Sequence, residues 1–560
     1  MEMIVKHKLK LSSLAIALSC AVVPMTSFSA MAETISLTGK DLTIEQLLKV
    51  QSGEANVTVS KKGKQNIQDS FDLLMDSARQ GTPVYGLTVG VGKNKDTEVF
   101  GKDGKMSDEA VKLSEDFNRD MLFTHAAASG EPIAQEVVRM AMTIRLNQIA
   151  TGHVGVQPDV ARLYEQFVNK NIIPVVPSDG SVGLSDILLA SHIGAAMMGE
   201  HEVFYKGERM PAAKALKAAG VKPLVPFGKD GLSILSNNAL STAQLVHAMG
   251  QAEQLIEFSP KLIAAGLESI NGNISPILPH TLDARPMPHV QDVGNDILKN
   301  LKGGYLFQRD EKRPLQDSLS FRGAHWPVAN AISQYNNLEE LVHIQINSSD
   351  DNPTVYLNAK HSRFNKYPQV EQYFTDGRVS GAINSSANFD TIQLATTTEA
   401  FSIAMAQLGK YSSNRQIKMI DPYFTGLPRA LVNPDDTNGQ SFYTLQNGFT
   451  ALFVDIAHAS NPVSFYGQAN QGGIEDNFSN FHQASKNLTT VVDGVSYIYA
   501  FELMTYGQAL DLQKKVHDRD LSDANKALLK DLRETVKFYA DDTRTFTVDI
   551  EASQKFLMKY

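Results

Sequence analysis

Apolar residues along this chain recur mostly at helical spacing. From Ile67 onward they return every three or four positions, as in Phe71, Leu74 and Ala78, and again through residues 137–149. Strand-like alternation is short and scattered. The pattern predicts a mainly α protein with long helices at 230–270, 325–347, 379–418 and 440–460.

Glycine, proline, asparagine and aspartate separate these helices, and neither internal repeats nor low-complexity segments interrupt them. A soft break near Phe227-Gly228-Lys229 divides a mixed N-terminal part from a helical core. We therefore predict three parts: an export signal at 1–32, an N-terminal part at 33–228, and a central helical bundle with C-terminal helices at 229–560.

The first 32 residues have the layout of a secretory signal peptide. Lys6, Lys8 and Lys10 precede a short apolar stretch at 11–23, and Ala30-Met31-Ala32 forms a small-x-small cleavage site. The apolar stretch is shorter than the roughly 18 residues of a membrane span. Cleavage after Ala32 and a periplasmic location are predicted, with a lipoprotein attached at Cys20 as the lesser alternative.

Cleavage removes the only cysteine, so we predict a mature chain without disulfides or thiol chemistry. It also removes three lysines and one glutamate, which changes the net charge from −9 to −11 and argues against nucleic acid or an anionic membrane as partner. The chain carries no Walker A motif and no nucleophile elbow, and Gly90-Val91-Gly92 lacks the third glycine of a dinucleotide site. The histidines show no metal-binding spacing, so no metal is predicted.

Five separated stretches resemble the aromatic amino acid ammonia-lyases, the family of histidine and phenylalanine ammonia-lyases. They are residues 84–92 (VYGLTVGVG), 124–127 (THAA), the run from Arg139 through Arg145 and Asn147 to Gly180-Ser181-Val182-Gly183, then Gln316-Asp317 with Arg322, and Ile346-Asn347-Ser348 with Asp351-Asn352-Pro353. Their order covers most of the mature chain. The resemblance implies an elongated central helical bundle of the aspartase-like superfamily, with several helix N-termini directed at the reaction centre.

The same resemblance implies a homotetramer in which neighbouring subunits complete each active site. It also implies a small-molecule substrate, an amino acid or its betaine. Neither expectation follows from the spacing of apolar residues.

The chain departs from the family after Gly183. Family members place Ala-Ser-Gly there and cyclise it into methylidene-imidazolone, an electrophile that captures the substrate amine. Here the triplet is Leu184-Ser185-Asp186, and the family glycine is missing. Ring closure needs a tight backbone approach that a residue without Cβ tolerates best. We therefore predict that this prosthetic group is absent, and that Ser185 or Asp186 caps the following helix.

Without an electrophile, the substrate must carry its own good leaving group. A trimethylammonium group meets this need, because it departs as neutral trimethylamine. Within the family, a chain without the cyclised triplet resembles the ergothionase type, which converts ergothioneine to thiourocanate. The leading hypothesis is a carbon-nitrogen lyase that eliminates trimethylamine from a histidine-type betaine.

Four site residues follow from the matching motifs. Tyr85 would be the base that takes the β proton, although a free tyrosine has a pKa of roughly 10 and needs positive potential to act near neutrality. Arg322 would clamp the substrate carboxylate, with Gln316 supporting it. His125 is either a ring contact or a core histidine.

Other candidates occupy positions where the family pattern has changed. Asp390 or Glu475 is proposed to pair with the imidazole or thione edge, and Phe389 to face the trimethylammonium group. Asn237 follows Ser236, which stands where the family has an asparagine, and it is proposed to bind the substrate. Lys418 interrupts an apolar run and either reaches the site or lies on a solvated helix face.

Two alternatives remain open. The chain is either a divergent histidine or aromatic amino acid ammonia-lyase, or a binding protein that keeps the scaffold without turnover. Cyclisation would cost two waters in the intact mass. The joint presence of Tyr85, Gln316 and Arg322 disfavours a binding protein, because binding alone needs no base.

Overall fold

The computed structural model of the chain describes residues 33–82, 84–87, 108–360, 367–436, 440–540 and 544–559. The predicted signal peptide and Gly90-Val91-Gly92 lie outside these ranges. In the described ranges, no helix is both long and apolar enough to cross a bilayer.

The N-terminal part combines short sheets with helices. Its elements are β1 (Glu33–Leu37), α1 (Ile44–Ser52), β2 (Ala55–Val59), α2 (Lys61–Arg79), α3 (Asp108–His125), β3 (Ser129–Pro132), α4 (Gln135–Ala150), α5 (Pro158–Asn169), β4 (Ile173–Pro174), β5 (Pro177–Asp179), α6 (Ile187–Met197), β6 (Glu202–Tyr205), β7 (Glu208–Pro211) and α7 (Ala212–Ala219). Strand β1 pairs with β2 in parallel, β3 pairs with β5 antiparallel, and β4, β6 and β7 form an antiparallel sheet.

The remaining part is dominated by long helices. Its elements are α8 (Asp230–Leu235), α9 (Ala239–Ser269), α10 (Pro279–Asp283), α11 (Val290–Leu301), α12 (Leu319–Arg322), α13 (His325–Ile346), β8 (Thr354–Leu357), α14 (Pro368–Glu371), β9 (Phe374–Thr375), β10 (Gly381–Asn384), α15 (Ile392–Met419), α16 (Pro422–Thr425), α17 (Leu445–Ala459), α18 (Phe481–His517), α19 (Asp523–Leu532) and α20 (Phe546–Leu557).

Helix α18 forms the centre of the bundle. It packs against α9, α15, α17 and α20, and α13 packs against α9 and α15. Val491, Val495 and Ile498 of α18 are buried, and so are Val492 and Tyr499, which lie at other angles around the helix. A helix that is buried on all sides belongs in the core of a large protein. The mainly α prediction is confirmed.

Two of the four predicted long helices need correction. The 230–270 stretch is interrupted at 236–238, where the side-chain oxygen of Asn237 accepts a hydrogen bond from the backbone N–H of Ala239. The 379–418 stretch starts as strand β10, and helix begins only at Ile392. A Cβ on Gly381 would lie 2.4 Å from the carbonyl oxygen of Tyr356 on the paired strand, so this sheet pairing needs glycine.

Candidate active site

The Gly-Ser-Val-Gly turn and the triplet that follows it lie where four helices begin. Asp186 precedes α6, Asn238 precedes α9, Thr391 precedes α15 and Asn480 precedes α18. None of these four N-cap residues makes a side-chain capping bond. Helix N-termini carry partial positive charge, so their convergence creates a region that favours negative charge. The expectation of converging helix N-termini is confirmed.

Hydrogen bonds from these helix starts fix the backbone of the turn. The Gly183 carbonyl oxygen accepts from the hydroxyls of Thr391 at 2.9 Å and Ser479 at 3.0 Å. The Val182 carbonyl oxygen accepts from the N–H of Asn480 at 2.8 Å. The N–H of Ser185 donates to the side-chain oxygen of Asn238 at 3.0 Å. Groups at the starts of three distant helices therefore position three residues of the turn, Val182, Gly183 and Ser185.

Gly183 is confined by both its conformation and its neighbours. Its φ is +73°, and a Cβ would lie 2.2 Å from the backbone nitrogen of Phe481. Gly183→Ala is expected to lower the free energy of unfolding by more than the ~1–2 kcal/mol of the left-handed conformation alone, because the start of α18 must also move. Gly207→Ala is the matched control, with φ +81° and open space around the added carbon. Equal losses in denaturant titrations of the two variants would show that the clash is relieved without strain.

The triplet is held in a shape that does not suit cyclisation. Closing the ring would require the backbone nitrogen of Asp186 to attack the carbonyl carbon of Leu184. That nitrogen instead donates to the carbonyl oxygen of Asn237 at 2.7 Å, and Leu184 forms an isolated antiparallel bridge with Asp390. Ser185 has φ +65°, and its hydroxyl lies 3.3 Å from that of Ser236. The three residues do not fit the methylidene-imidazolone group.

The capping role expected of Ser185 or Asp186 is wrong. Asp186 occupies the N-cap position of α6, but its side chain makes no capping bond. Its fully buried carboxylate accepts from the hydroxyl of Ser181 at 2.8 Å, from the N–H of Ser241 at 2.8 Å, and from the Ser241 hydroxyl. It therefore joins the turn to α9 instead of closing its own helix.

A buried ionic cluster lies behind the turn. The Asp351 carboxylate binds the Arg145 guanidinium at 2.5 Å and the ammonium of Lys229, and all three side chains are at most 1% exposed. Asp350 contacts Arg145 at 3.5 Å and accepts from the N–H of Asn238 at 2.9 Å. The Arg145 and Asp351 motifs thus support the asparagine that holds Ser185.

This arrangement assigns different roles to two adjacent asparagines. The Asn237 side chain bonds only to its own turn, donating to the Ile234 carbonyl at 2.8 Å and accepting from Ala239 at 3.0 Å. Asn238 contacts the triplet and also donates to the carbonyl oxygen of Phe389 at 3.0 Å. Substrate contact by Asn237 stays a prediction, although its amide already bonds the backbone of its own turn.

Tyr85 precedes a glycine that packs on helix α8. It is half-buried against the core, and the next residue, Gly86, has φ +73° and packs on Leu232 of α8. A Cβ on Gly86 would lie 2.3 Å from that leucine. Ser236, four residues beyond Leu232, meets Ser185. Tyr85 is thus anchored one short helix away from the turn.

His125 and Glu475 lie on the same side of the site. The Nδ1 of His125, at the end of α3, contacts the Met121 carbonyl at 2.8 Å, which leaves Nε2 for other partners. Burial raises the pKa of Glu475 above its usual 4.5, and the nearby charge of His125 opposes this shift. The two side chains are therefore electrostatically coupled.

Phe389 and Asp390 form the turn that precedes α15. Phe389 is half-buried, whereas Asp390 is exposed and its carboxylate accepts from the N–H of Ile392 at 2.9 Å. This bond keeps one carboxylate oxygen of Asp390 at its own helix start. Glu475 makes no such bond to a helix start among the described contacts, so it is the freer of the two candidate carboxylates.

Gln316, Arg322 and Lys418 form a second group. Arg322 donates from Nη1 to the side-chain oxygen of Gln316 at 2.9 Å, while its buried Nε has no partner among the described residues. Lys418 lines a cavity of about 360 Å³ together with Ser318, Leu319, Ser320, Gln407, Lys410, Tyr411 and Asn414. Residues 318–320, which line this cavity with Lys418, lie between Gln316 and Arg322 in the sequence.

The two groups lie at opposite ends of α15. Asp390 precedes its first residue and Lys418 is next to its last, and the helix has 28 residues. At 1.5 Å per residue the ends are about 40 Å apart. A single chain therefore holds the Gly-Ser-Val-Gly turn at one end of α15 and the cavity with Lys418 at the other. In the described ranges no cluster of metal-ligating side chains occurs.

A helical bundle whose helix N-termini converge on a Gly-Ser-Val-Gly turn is the arrangement that the resemblance to ammonia-lyases implies. Residues 42–534 match the model of the aromatic amino acid lyase family, so the chain belongs to that family. A histidine ammonia-lyase of Treponema denticola is 29% identical over 488 residues, covering 86% of this chain and 88% of the relative. A histidine ammonia-lyase of Geobacillus thermodenitrificans is also 29% identical, over 93% and 97% of the two chains.

Among solved structures, the chain is similar to the ergothioneine-degrading enzyme ergothionase of Treponema denticola, in complex with desmethyl-ergothioneine sulfonic acid. That likeness has 31% identity and a TM-score of 0.82, over 94% of this chain and 99% of the other. The histidine ammonia-lyase of Trypanosoma cruzi has a TM-score of 0.81 at 21% identity, over 94% and 93% of the chains, which supports the fold alone.

Proposed function

We propose that this protein is a carbon-nitrogen lyase that eliminates trimethylamine from a histidine-type betaine, converting ergothioneine to thiourocanate without methylidene-imidazolone. The observation that carries the proposal is the Leu184-Ser185-Asp186 turn, whose backbone nitrogen and carboxylate are committed to Asn237, Ser181 and Ser241. Likeness to ergothionase supports the choice of substrate.

In the proposed reaction Tyr85, as tyrosinate, takes a proton from the β carbon of the substrate. The electrons of that C–H bond form the new C=C bond, the C–N bond breaks, and neutral trimethylamine leaves. The products are an unsaturated carboxylate and protonated Tyr85, so charge balances. The converging helix N-termini supply the positive potential that favours tyrosinate before the step.

Arg322 binds the substrate carboxylate in this proposal, with Gln316 orienting the guanidinium. The Nε of Arg322, which has no partner among the described residues, is a donor left for a ligand. Ser318, Leu319 and Ser320, just before Arg322, line a cavity with Lys418 at the far end of α15, and that helix is about 40 Å long, so a neighbouring copy must supply the clamp. A homotetramer satisfies this requirement, and exposed Ile392, Ile403 and Ile417 on α15 offer an apolar contact surface.

Glu475 pairs with the ring or the cationic nitrogen, and Phe389 faces the trimethylammonium group, with His125 as a neighbour. The ionised form of Glu475 would be the form that binds. We place Asp390 in a supporting role, because its carboxylate holds Ile392.

The acid limb of kcat/KM tests the role of Glu475. Because burial raises the Glu475 pKa, activity should fall with decreasing pH at a pH above 4.5. His125 lowers that pKa, so His125→Gln should move the limb to higher pH, and Glu475→Gln should remove it. His280→Gln, at an exposed histidine, should leave the limb in place. An unchanged limb in Glu475→Gln would exclude Glu475 as the titrating group.

A histidine ammonia-lyase is the second candidate, favoured by the names of the 29% identical relatives. A substrate panel separates the two: ergothioneine, hercynine, histidine, phenylalanine and tyrosine, each followed for a conjugated acid and for the amine released. Trimethylamine from ergothioneine with an intact mass that lacks no waters supports the proposal. Rapid ammonia release from histidine by protein lighter by two waters would overturn it. Ligand-induced melting shifts without any product would indicate a binding protein.

A periplasmic location is proposed from the sequence. Sequencing the N-terminus of protein recovered from the periplasm tests it, with Glu33 expected as the first residue. An intact Met1 on the recovered protein would contradict export by cleavage.

A further inference from the structure

A chain of three buried polar side chains lies directly behind the Ser185 turn. Asp186 stands before α6, Ser241 lies in the first turn of α9, and His482 lies in the first turn of α18, with exposures of 0%, 0% and 4%. The Ser241 hydroxyl bonds the Asp186 carboxylate and lies 3.1 Å from Nδ1 of His482. Nε2 of His482 lies 2.9 Å from the carbonyl oxygen of Ser178.

If the His482 imidazole is neutral, these hydrogen-bonded side chains have one hydrogen too few to complete all their contacts. A carbonyl oxygen can only accept, so Nε2 of His482 must carry a hydrogen. If that is the only ring proton, Nδ1 is an acceptor. The single hydrogen of the Ser241 hydroxyl then faces two acceptors, Nδ1 and the Asp186 carboxylate. One additional proton completes every contact.

The surroundings favour placing that proton on the histidine. The Asp186 carboxylate accepts from two hydroxyls and one backbone N–H, and three donors on one carboxylate stabilise its ionised form. The other charged groups beside His482 are Asp179 of β5 and Lys486 of α18, which pair with each other at 2.5 Å. Through Ser241, the ring thus faces a carboxylate that can balance its charge.

We propose that His482 is a positioning residue: its doubly protonated ring donates to Ser241 and so holds Asp186 and the Ser185 turn in their working geometry. The proposal rests on the proposed lyase function for its kinetic consequences. Asp186 transmits the constraint, because Ser181, which donates to it, also accepts the N–H of Gly183 at 3.1 Å. His482 itself lies behind the turn, and we assign it no contact with substrate.

The protonation state can be measured without turnover. In protein labelled with ¹⁵N-histidine, the His482 signals, assigned by their loss in His482→Asn, should show both ring nitrogens protonated at pH 7. Ser241→Ala should convert the ring to the neutral Nε2–H form. His280→Asn, at an exposed histidine, should leave the His482 signals unchanged. A neutral His482 ring in the wild-type protein would overturn the proposal, whatever the enzyme's substrate.

Kinetics then tests the positioning role. His482→Leu should lower kcat by on the order of 10²-fold, the cost of a small displacement at the reaction centre. In His482→Asn the amide nitrogen replaces Nδ1 as a donor to Ser241, so activity should recover most of what His482→Leu loses. Equal loss in the Leu and Asn variants at every pH would contradict positioning by a donated hydrogen bond. Absence of all lyase activity in the wild type would refute the proposed function. The labelling experiment would then still show whether both ring nitrogens of His482 are protonated.

Discussion

Replacement of Tyr85 by phenylalanine is expected to reduce kcat on ergothioneine by on the order of 10²–10⁴-fold, the usual contribution of a general base. The change removes one oxygen and keeps the ring that packs against the core. KM and the binding of an unreactive analogue should change little, because the carboxylate and the ring of the substrate are held by other residues. Stopped-flow detection of the conjugated product together with calorimetric binding separates the two effects.

Tyr356→Phe is the matched control for this variant. Tyr356 is 53% exposed on β8 and stacks on His153, away from the triplet, so its loss should leave kcat unaltered. If Tyr85→Phe retains more than about a tenth of the activity, the base is another group. If it loses binding as well, Tyr85 contacts the substrate in the ground state.

Asp351→Asn is expected to destabilise the fold by about 3–5 kcal/mol, the cost of removing one partner from a buried ion pair. Asp351 is the anion between Arg145 and Lys229, and its loss leaves two buried cations with a neutral neighbour. The substitution should also lower activity, because Arg145 contacts Asp350, which holds Asn238 beside the Ser185 turn. Denaturant unfolding gives the stability change directly.

The loss of stability in Asp351→Asn is expected to become smaller as pH rises. Burial lowers the pKa of Lys229 and Asp351 opposes the shift, so the variant lysine has a still lower pKa in the folded state. The loss of unfolding free energy is greatest at pH values where Lys229 is charged in the unfolded state, and it should shrink as pH rises toward 10.5. Glu202→Gln, which breaks the exposed Arg209 pair, should have a far smaller effect. Equal losses of unfolding free energy in the two variants would show that burial of the Asp351 cluster does not determine the size of the effect.

The sequence was sufficient for the fold class because helical periodicity is strong in the bundle. The 325–347 prediction matches α13 within one residue. The 379–418 prediction failed at its start because periodicity continued through residues that pair as β10, and the decisive contact, Gly381 against Tyr356, lies on another segment. Local pattern carries no information about that partner.

The candidate site, like the fold, could be predicted from the sequence only in part. Motif matching identified the Ser185 turn, around which the starts of three distant helices meet. It did not name Asn238, because which amide faces the triplet depends on the break between α8 and α9. It also missed Ser241 and His482, whose roles arise from proximity across more than two hundred residues. A polar side chain in the first turn of an otherwise apolar helix was the only available signal.

The length of α15 predicts how two different inactive variants behave when they assemble together. In the proposed function each copy carries the base and the triplet near one end of this helix and the carboxylate clamp near the other. A defect in Tyr85 and a defect in Arg322 can therefore fall in different active sites of one assembly. Coexpression of Tyr85→Phe chains with Arg322→Ala chains should therefore regain part of the wild-type turnover by subunit complementation, although either variant alone is inactive. Mixed assemblies that remain inactive would mean that one chain supplies both ends of its own site.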